Sequence, residues 1–481
     1  MFLKRIIGLL ILSACLVQAR ATVVLPKILG NGMVLQQKQF VPIWGAATPG
    51  EKVTVTFKQQ TKTTTTDADG NWQVMLSPLV ASADPAIMTI SGTNTIQLTN
   101  ILVGEVWLAS GQSNMQYEMR KNSKVKKPDT STVNSPVDEL ERAHNPQIRI
   151  FLVTQKNLRK PDSLHTGWDI AEDSALRNFN AAGYFFAKNL QARLKVPVGI
   201  ISSAISGSRI EPWAPKEAFD QVSYFKEQDY KIEGEPGKFY NTMIAPLAPF
   251  AISGFLWYQG ESNCFLGETI SYTYKMEALI NNWRSTWHNL KLPFYYVQIV
   301  PYYYSKATGK VPYTAETLPK FWEAQTAALA IPHTGMIVTT DLNDDIKNLH
   351  PPFKWEVGRR LALLALKNTY GQKQVVASGP VYQKMNIKGQ QAILKFKDEG
   401  TGLVSHDGKP LSHFTIAGAD SIFYPATATI EGDKVVVSAP QVSKPVAVRF
   451  AWAEDAQPNF YNKEGLPTRP FRTDNPLQFK P

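Results

Sequence analysis

The chain has 481 residues, of which 43% are hydrophobic and 19% are charged. This composition is too apolar for a disordered protein, and the length predicts about three domains. Two cysteines, Cys15 and Cys264, are too few for a disulfide scaffold or a cysteine-rich metal centre. The formal net charge is +11, but no recognition motif accompanies the dense basic run at residues 121–127. We therefore expect no nucleic-acid partner and interpret the run as a solvated loop, with a role at a pocket rim as the alternative.

Residues 1–21 have the pattern of a secretory signal peptide. Two basic residues precede a short apolar run, and residues 19–21 have the small-x-small pattern of a cleavage site. The apolar run is too short to cross a bilayer and no longer one follows, so we expect no membrane span. The alternative is a lipobox at residues 12–15, which would place a lipid anchor on Cys15. Either route exports the protein, to the periplasm or outside the cell.

The segment from residue 22 to residue 100 is predicted to be all β. Val53, Val55 and Phe57 alternate with polar residues, as in a strand with one buried face. Asp69 and Gly70 indicate a turn before the next strand. We expect a small β-sandwich-like domain that supports the rest of the protein.

Strands and helices alternate from residue 101 to residue 371. Apolar runs typical of buried strands lie at 103–109, 198–204, 252–258, 294–300 and 335–340. Helices are predicted at 179–194, 269–287, 318–330 and 356–367. The alternation predicts a largely parallel sheet covered on both faces, with ligands at the carboxyl ends of the strands. Residues 372–481 are predicted to be β again.

The loop at residues 110–115, with the sequence SGQSNM, follows the first of these strands. Ser113 lies between a strand and a helix, where backbone N–H groups stabilise an incoming anion, so it is a candidate nucleophile. The loop is not the G-x-S-x-G elbow of α/β-hydrolases, because Met115 replaces the second glycine. An ordinary glycine-serine turn is the alternative interpretation.

Loops after two other strands offer groups that could bind an oxyanion. The loop after the second strand contains the backbone N–H of Gly207, in the sequence SGSR. The loop after the third contains the neutral side-chain amides of Gln259 and Asn263. Glu261, between them, cannot donate a hydrogen bond when ionised, so we interpret it as a brace behind the reacting groups.

His350 is the candidate general base among the seven histidines. It lies between a predicted strand and a predicted helix, and Pro351 and Pro352 stiffen the loop after it. No two histidines have the spacing of metal ligands on a helix, so we expect neither a metal nor a cofactor.

Three blocks of the sequence occur together in a fixed order. They are GEVWLASGQSNM at 104–115, WYQGESN at 257–263, and His350-Pro351 followed by Lys354, Val357, Gly358, Arg360 and Leu361. In this combination the chain resembles the sialate O-acetylesterases of the SGNH (GDSL-like) hydrolase superfamily. Shorter matches at 25–27, 33–37, 179–190 and 211–213 extend the resemblance over most of the chain.

The resemblance implies an α/β fold with three domains after the signal peptide. A flavodoxin-like three-layer α/β/α hydrolase domain at 101–371 would be flanked by β-sandwich-like domains at 22–100 and 372–481. The implied function is a serine esterase that removes acetyl groups from an O-acetylated carbohydrate, with sialic acids or related glycans as substrates. Acetylated plant polysaccharides such as xylan, pectin or xyloglucan are the alternative substrates.

The resemblance also assigns roles to the candidate residues. Ser113 is the implied nucleophile, and His350 is the implied base and then acid. The implied oxyanion donors are the N–H groups of Ser113 and Gly207 and the side chain of Gln259. Ser206 departs from the family, which often has a second glycine at that place, so the role of Gly207 depends on the loop's conformation.

Asn348 is a second departure, because the family often has aspartate two residues before the histidine. An amide cannot carry the charge that stabilises an imidazolium. His350 could be oriented instead by the backbone carbonyl of Asn348, by Asp345 or by Asp341. The missing acid also leaves open a non-catalytic carbohydrate-binding protein on a decayed hydrolase fold.

Two residues near Gly207 are candidates for substrate contact. Arg209 would favour an anionic sugar such as a sialic acid, and Trp213 would stack on a sugar ring. An exposed loop arginine and a core tryptophan are the alternative interpretations.

Overall fold

A computed structural model describes residues 22–125, 135–154, 167–309 and 311–481. The signal-peptide and lipid-anchor predictions fall on residues 1–21, outside these ranges. The fold is mixed α/β, with ten α-helices in the described ranges: α1 (Ser113–Gln116), α2 (Glu139–Arg142), α3 (Asp173–Arg177), α4 (Ala181–Leu194), α5 (Lys216–Asp220), α6 (Ser223–Glu227), α7 (Glu261–Cys264), α8 (Ile270–Thr286), α9 (Thr317–Ala327) and α10 (Lys354–Asn368). None of the helices described is long and apolar enough to cross a membrane.

The strands divide into three groups along the chain. The first comprises β1 (Val34–Gln36), β2 (Val41–Ala46), β3 (Lys52–Phe57), β4 (Gln60–Thr65), β5 (Asn71–Leu76), β6 (Ser82–Ser91) and β7 (Thr95–Gly111). The second comprises β8 (His144–Leu152), β9 (Trp168–Glu172), β10 (Val198–Ala204), β11 (Gly254–Tyr258), β12 (Phe294–Val297) and β13 (Thr334–Ile337). The third comprises β14 (Val381–Lys388), β15 (Gln391–Lys397), β16 (Leu403–Ser405), β17 (Phe414–Ala417), β18 (Phe423–Pro425), β19 (Thr427–Glu431), β20 (Lys434–Ser438), β21 (Ala447–Phe450), β22 (Phe460–Asn462) and β23 (Phe471–Arg472).

The central sheet has the strand order β13-β12-β11-β7-β10-β8-β9. All neighbours in it are parallel except β8 and β9, which pair antiparallel at one edge. The five predicted strands are all present, as β7, β10, β11, β12 and β13. Numbered among themselves in chain order, they have the arrangement 2-1-3-4-5 of a flavodoxin-like sheet. Ligands bind such a sheet at the carboxyl ends of its strands, where β7 lies at the centre.

The sheet is covered on both faces. Neighbouring residues of a strand point to opposite faces of the sheet, and in β11 both sets are buried. Phe255 and Trp257 of β11 pack with α8 in one core. Leu256 and Tyr258 of the same strand pack with α4 and α10 in another. These two cores hold the central sheet between layers of helix.

The N-terminal β region is continuous with the central sheet. Strand β7 pairs with β1 and β6 near its start and with β10 and β11 further along. The expected boundary between residues 100 and 101 lies inside this strand. Core residues of the N-terminal region, such as Val53 and Phe57, belong to the same cluster as Phe255. The N-terminal region therefore shares both a strand and a core with the central domain.

The C-terminal β region has a core of its own. Two four-stranded sheets, β14-β15-β20-β19 and β18-β17-β21-β23, contribute side chains to one apolar cluster. Polar contacts attach this region to the central domain, including ion pairs of Arg449 with Glu316 and of Arg472 with Glu323, each at 2.8 Å. It is joined to the central domain by its surface, not by a shared strand.

Candidate active site

Ser113 lies at the point where the central strand turns into a short helix. Strand β7 ends at Gly111 and helix α1 begins at Ser113. Gly111 has φ +140°, and a Cβ on it would collide with the carbonyl group of Tyr258 at the end of β11. Only glycine permits this backbone conformation and this close approach of the two strand ends. The chain therefore presents Ser113 at the carboxyl edge of the sheet.

His350 reaches Ser113 from the loop before α10. Its Nε2 lies 2.7 Å from Ser113 Oγ, which is the distance of a hydrogen bond between a base and its nucleophile. Ser113 is half-buried and His350 is exposed, so a substrate can reach both. Residues separated by 237 positions in the sequence form this pair.

The pair opens into a cleft of about 480 Å³. The cleft is large enough for a monosaccharide or the end of a glycan chain. Its lining is mostly polar and contains two lysines: Ser113, Gln116, Tyr117, Glu118, Lys121, Lys124, Ser206, Asn348, His350 and Pro352.

The loop after β10 lies beside the nucleophile. The N–H of Ser206 donates to Gln116 Oε1 at 2.7 Å, which joins this loop to helix α1. Gly207 has φ +73° and is exposed, a conformation that glycine adopts without strain. Neither its N–H nor that of Ser113 donates to another described residue, so both are available to a substrate.

The side-chain amide of Gln259, an implied oxyanion donor, bonds other residues in this structure. Its side chain is fully buried, and Nε2 lies within hydrogen-bonding distance of Gln112 Oε1, the Ser208 carbonyl and Asn263 Oδ1. The amide would have to leave these partners to reach an oxyanion. Asn263 is fully buried as well. Both residues therefore hold loops together in this structure and do not face the cleft.

The candidates for orienting His350 also bond elsewhere. The side chain of Asn348 bonds the backbone of His350, accepting from its N–H at 2.9 Å and donating to its carbonyl at 3.1 Å. The Asn348 carbonyl accepts from Asn343 Nδ2 at 3.1 Å. Asp345 Oδ1 accepts the backbone N–H of Lys347 at 3.1 Å. Both carboxylate oxygens of Asp341 bond Arg360.

No described residue donates to or accepts from Nδ1 of His350. A carboxylate on the ring, the usual third member of a triad, is therefore missing from the part of the chain that the structure describes. In the described structure His350 is held through the backbone of its loop and, on its ring, through the contact of Nε2 with Ser113 Oγ.

Neither of the two candidates for substrate contact lines the cleft. Trp213 is fully buried, and its indole N–H donates to Ser208 Oγ at 3.0 Å. A side chain without exposed surface cannot stack on a sugar, so the core interpretation of Trp213 is correct for this structure. Arg209 is half-buried beside Gly234 and is not among the residues that line the cleft.

The surroundings of His350 keep its imidazole neutral. Partial desolvation of the imidazole lowers its pKa below the ordinary value of 6.5, although the residue keeps exposed surface, and the positive charges of Lys354 and Lys121 lower it further. A neutral imidazole is the form that accepts the proton of Ser113. The local charges therefore favour a general base at neutral pH.

Sequence reasoning missed the parts played by Asn114 and Lys354. Both are buried polar residues within hydrogen-bonding distance of the His350 loop. Each belongs to one of the three sequence blocks, but nothing in the pattern indicated that they meet. A lysine among the apolar residues at the start of a helix was the available signal, since a buried lysine requires partners.

Comparison with known proteins gives a family match whose span includes both Ser113 and His350. A family model described as "Carbohydrate esterase, sialic acid-specific acetylesterase" matches residues 103–367. Human sialate O-acetylesterase is 28% identical over an alignment of 404 residues that covers 76% of this chain and 75% of the human protein. The mouse sialate O-acetylesterase is 26% identical, with 88% of each chain covered.

A solved structure is similar over almost the whole chain. It is a carbohydrate acetylesterase from Xanthomonas citri, which matches with a TM-score of 0.82 and 34% sequence identity. The match covers 94% of this chain and 100% of the Xanthomonas chain. The likeness therefore includes the flanking β regions as well as the central sheet.

Proposed function

Because the chain belongs to the sialic acid-specific acetylesterase family of carbohydrate esterases, it is a carboxylic-ester hydrolase, and we propose that Ser113 and His350 perform the hydrolysis. The substrates are O-acetylated sialic acids or related glycans. The observation that carries the proposal is the 2.7 Å contact of His350 Nε2 with Ser113 Oγ in an open cleft.

The first half of the proposed reaction is acylation of Ser113. Ser113 Oγ attacks the carbonyl carbon of the acetyl group, and its proton passes to His350 Nε2. The negative charge on the carbonyl oxygen is stabilised by the free N–H groups of Ser113 and Gly207. The C–O bond to the sugar then breaks, and His350 returns the proton to the sugar oxygen. The sugar leaves with a free hydroxyl, and the acetyl group stays on Ser113.

Deacylation repeats these steps with water as the nucleophile. His350 Nε2 takes a proton from the water as its oxygen attacks the acetyl carbon. The bond to Ser113 Oγ then breaks, the proton returns to that oxygen, and acetate leaves. Charge is balanced throughout by the imidazolium, which exists only while the oxyanion is present.

The charges around the cleft favour an anionic sugar. Lys121 and Lys124 line it with one carboxylate, Glu118, which is 3.4 Å from Lys121. The ammonium group of Lys124 has no hydrogen bond or ion pair with another described residue, so its charge is available to a substrate carboxylate. A sialic acid carries such a group, whereas acetylated xylan does not offer one at each sugar.

The proposal is tested by acetate release from an O-acetylated sialic acid and from acetylated xylan. We expect the wild type to have the higher kcat/KM on the sialic acid, and Ser113→Ala to lose at least about 10⁴-fold on both. Ser123→Ala, at an exposed serine outside the cleft, is the matched control and keeps the wild-type rate. A higher kcat/KM on xylan would contradict the substrate assignment. Equal rates of wild type and Ser113→Ala, or no hydrolysis at all, would contradict the mechanism.

A further inference from the structure

The loop that carries His350 is held on both sides by buried side chains. The carbonyl of Leu349 accepts a hydrogen bond from Asn114 Nδ2 at 3.0 Å. The carbonyl of Pro351 accepts one from Lys354 Nζ at 2.5 Å. Asn114 and Lys354 are both buried, so water competes little for these bonds. The backbone before and after the imidazole is therefore tied to α1 and to α10.

The two side chains also bond each other and a buried carboxylate. Lys354 Nζ donates to Asn114 Oδ1 at 2.9 Å, and Asn114 Nδ2 donates to Glu261 Oε1 at 2.5 Å. Asn114 directly follows Ser113, so this one amide links the nucleophile, the His350 loop and the helix after β11. We name Asn114, Lys354 and Glu261 the His350 clamp.

We propose that the His350 clamp consists of positioning residues that keep Nε2 of His350 on Ser113 Oγ, the task of the acid in a serine triad. A triad acid holds the imidazole by its ring, through Nδ1. The clamp instead holds the backbone carbonyls of Leu349 and Pro351, the residues before and after His350. This proposal rests on the esterase function above, since it concerns the same pair of reacting groups.

The charge of the clamp acts on His350 as well. Lys354 Nζ has no carboxylate within bonding distance among the described residues, and it lies 4.7 Å and 5.5 Å from the ring centres of Tyr117 and Tyr258. Burial lowers the pKa of Lys354 to about 7, against the attraction of Glu261. Burial raises the pKa of Glu261. When charged, Lys354 disfavours the imidazolium, so the clamp both places His350 and keeps it a base.

The pH profile separates the clamp from a merely structural role. Besides His350 itself, the titratable groups that face the imidazole or the clamp are Tyr117, Glu118, Lys121, Lys124, Tyr258, Glu261 and Lys354. Asp344 acts on them through Tyr117. Removing Lys354 takes away a positive charge, so the pKa of His350 rises and the acid limb of kcat/KM moves to higher pH.

The first test is hydrolysis of p-nitrophenyl acetate by Lys354→Met between pH 4.5 and 8. We expect kcat to fall about 10- to 100-fold with little change in KM, and the acid limb to move to higher pH. Lys367→Met makes the same substitution in the last turn of the same helix, away from the cleft, and should leave both unchanged. Wild-type kcat and an unmoved acid limb in Lys354→Met would overturn the proposal.

A second test uses the carboxylate, in case Lys354→Met does not fold. Glu261→Gln keeps an oxygen that accepts from Asn114, whereas Glu261→Ala removes the acceptor. We expect Glu261→Gln to retain at least tenfold more kcat than Glu261→Ala, roughly the cost of a misplaced catalytic group. Equal kcat in the two variants would overturn the clamp.

Failure of the clamp and failure of the esterase function are distinguishable. If the wild type hydrolyses no ester, the function fails, and the clamp is tested by NMR titration of the His350 imidazole in wild type and Lys354→Met. A higher pKa in the variant supports the clamp, and an unchanged pKa overturns it. If the wild type is active, the two kinetic tests decide.

Discussion

Two lysines are buried in the described part of the chain, and their surroundings are opposite. Lys275 is 2% exposed, and its Nζ contacts the carboxylates of Glu211 at 2.6 Å and Glu268 at 2.8 Å. Lys354 is 1% exposed, and its Nζ forms hydrogen bonds only to a carbonyl and an amide oxygen. Each of the two lysines belongs to a network that holds a loop beside Ser113.

Charge compensation gives the two lysines different properties. Burial acts to lower the pKa of Lys275, but Glu268 and Glu211 together raise it above the ordinary value of 10.5. Burial lowers the pKa of Lys354 to about 7, because only the more distant Glu261 opposes it. A lysine with two carboxylates stays charged and stabilises the fold, whereas one without them titrates near neutral pH. Burial alone therefore does not decide whether a lysine is charged; the carboxylates beside it do.

The largest effect on stability is expected at the compensated lysine. Lys275→Met leaves two buried glutamates without a cation, so we expect the free energy of unfolding to fall by about 3–5 kcal/mol. Urea denaturation at pH 7 measures it. Adding Glu211→Gln and Glu268→Gln removes the uncompensated charges and should restore part of the loss. If Lys275→Met alone were as stable as the wild type, Lys275 would not be needed to compensate the two buried glutamates.

Removal of the uncompensated lysine should change how stability depends on pH. Between pH 7 and 10.5 the unfolded chain keeps the proton of Lys354 and the folded protein has released it, so this residue makes stability rise with pH. Lys354→Met lacks that contribution. Relative to the variant, the wild type should gain about 2 kcal/mol between pH 7 and pH 9. Parallel stability curves would show that Lys354 does not titrate in this range.

The activity of the wild type should fall only at acid pH. His350 must be neutral to accept the proton of Ser113, and burial followed by the charges of Lys354 and Lys121 lowers its pKa below 6.5. Activity is therefore complete above that value and is lost as the pH falls through the lowered pKa. The pH at which activity is lost is measured from kcat/KM for p-nitrophenyl acetate as a function of pH. A limb at or above pH 6.5 would contradict the effect of these charges.

The smallest effect is expected at an exposed lysine that belongs to neither network. Lys124→Ala should raise KM for an O-acetylated sialic acid about three- to fivefold at low ionic strength, because an exposed charge contributes about 1 kcal/mol. The difference should shrink at 0.5 M salt, where screening is strong. KM for p-nitrophenyl acetate, which is neutral, serves as the internal control. An equal change on both esters would point to a distorted cleft.

The sequence predicts most of the central sheet. Strand 198–204 agrees with β10 residue for residue, and the predicted helix at 269–287 differs from α8 by one residue at each end. Such elements can be predicted from local periodicity, because the spacing of apolar residues within one element indicates whether it is a strand or a helix. The boundary at residue 100 lies inside β7, since a strand that serves two sheets shows no change in its own pattern.

The sequence identifies some residues of the candidate site and misjudges the exposure of others. Ser113 and His350 stand out because a glycine-serine loop and a proline-stiffened histidine are local patterns, and the structure brings the two together. Gln259 and Trp213 look available in the sequence, yet both are fully buried. Burial depends on what packs against a side chain, and the sequence around the residue does not contain those neighbours.

By itself, the sequence determined the positions of the strands, the candidate nucleophile and base, and the absence of aspartate at position 348. The tertiary structure alone decided that Asn114, Lys354 and Glu261 meet around the His350 loop. Asn114 and Lys354 are 240 positions apart, and Asn114 and Glu261 are 147 apart. Hydrogen bonds and charge compensation act over a few ångströms of space, so their partners become known only when the chain is folded.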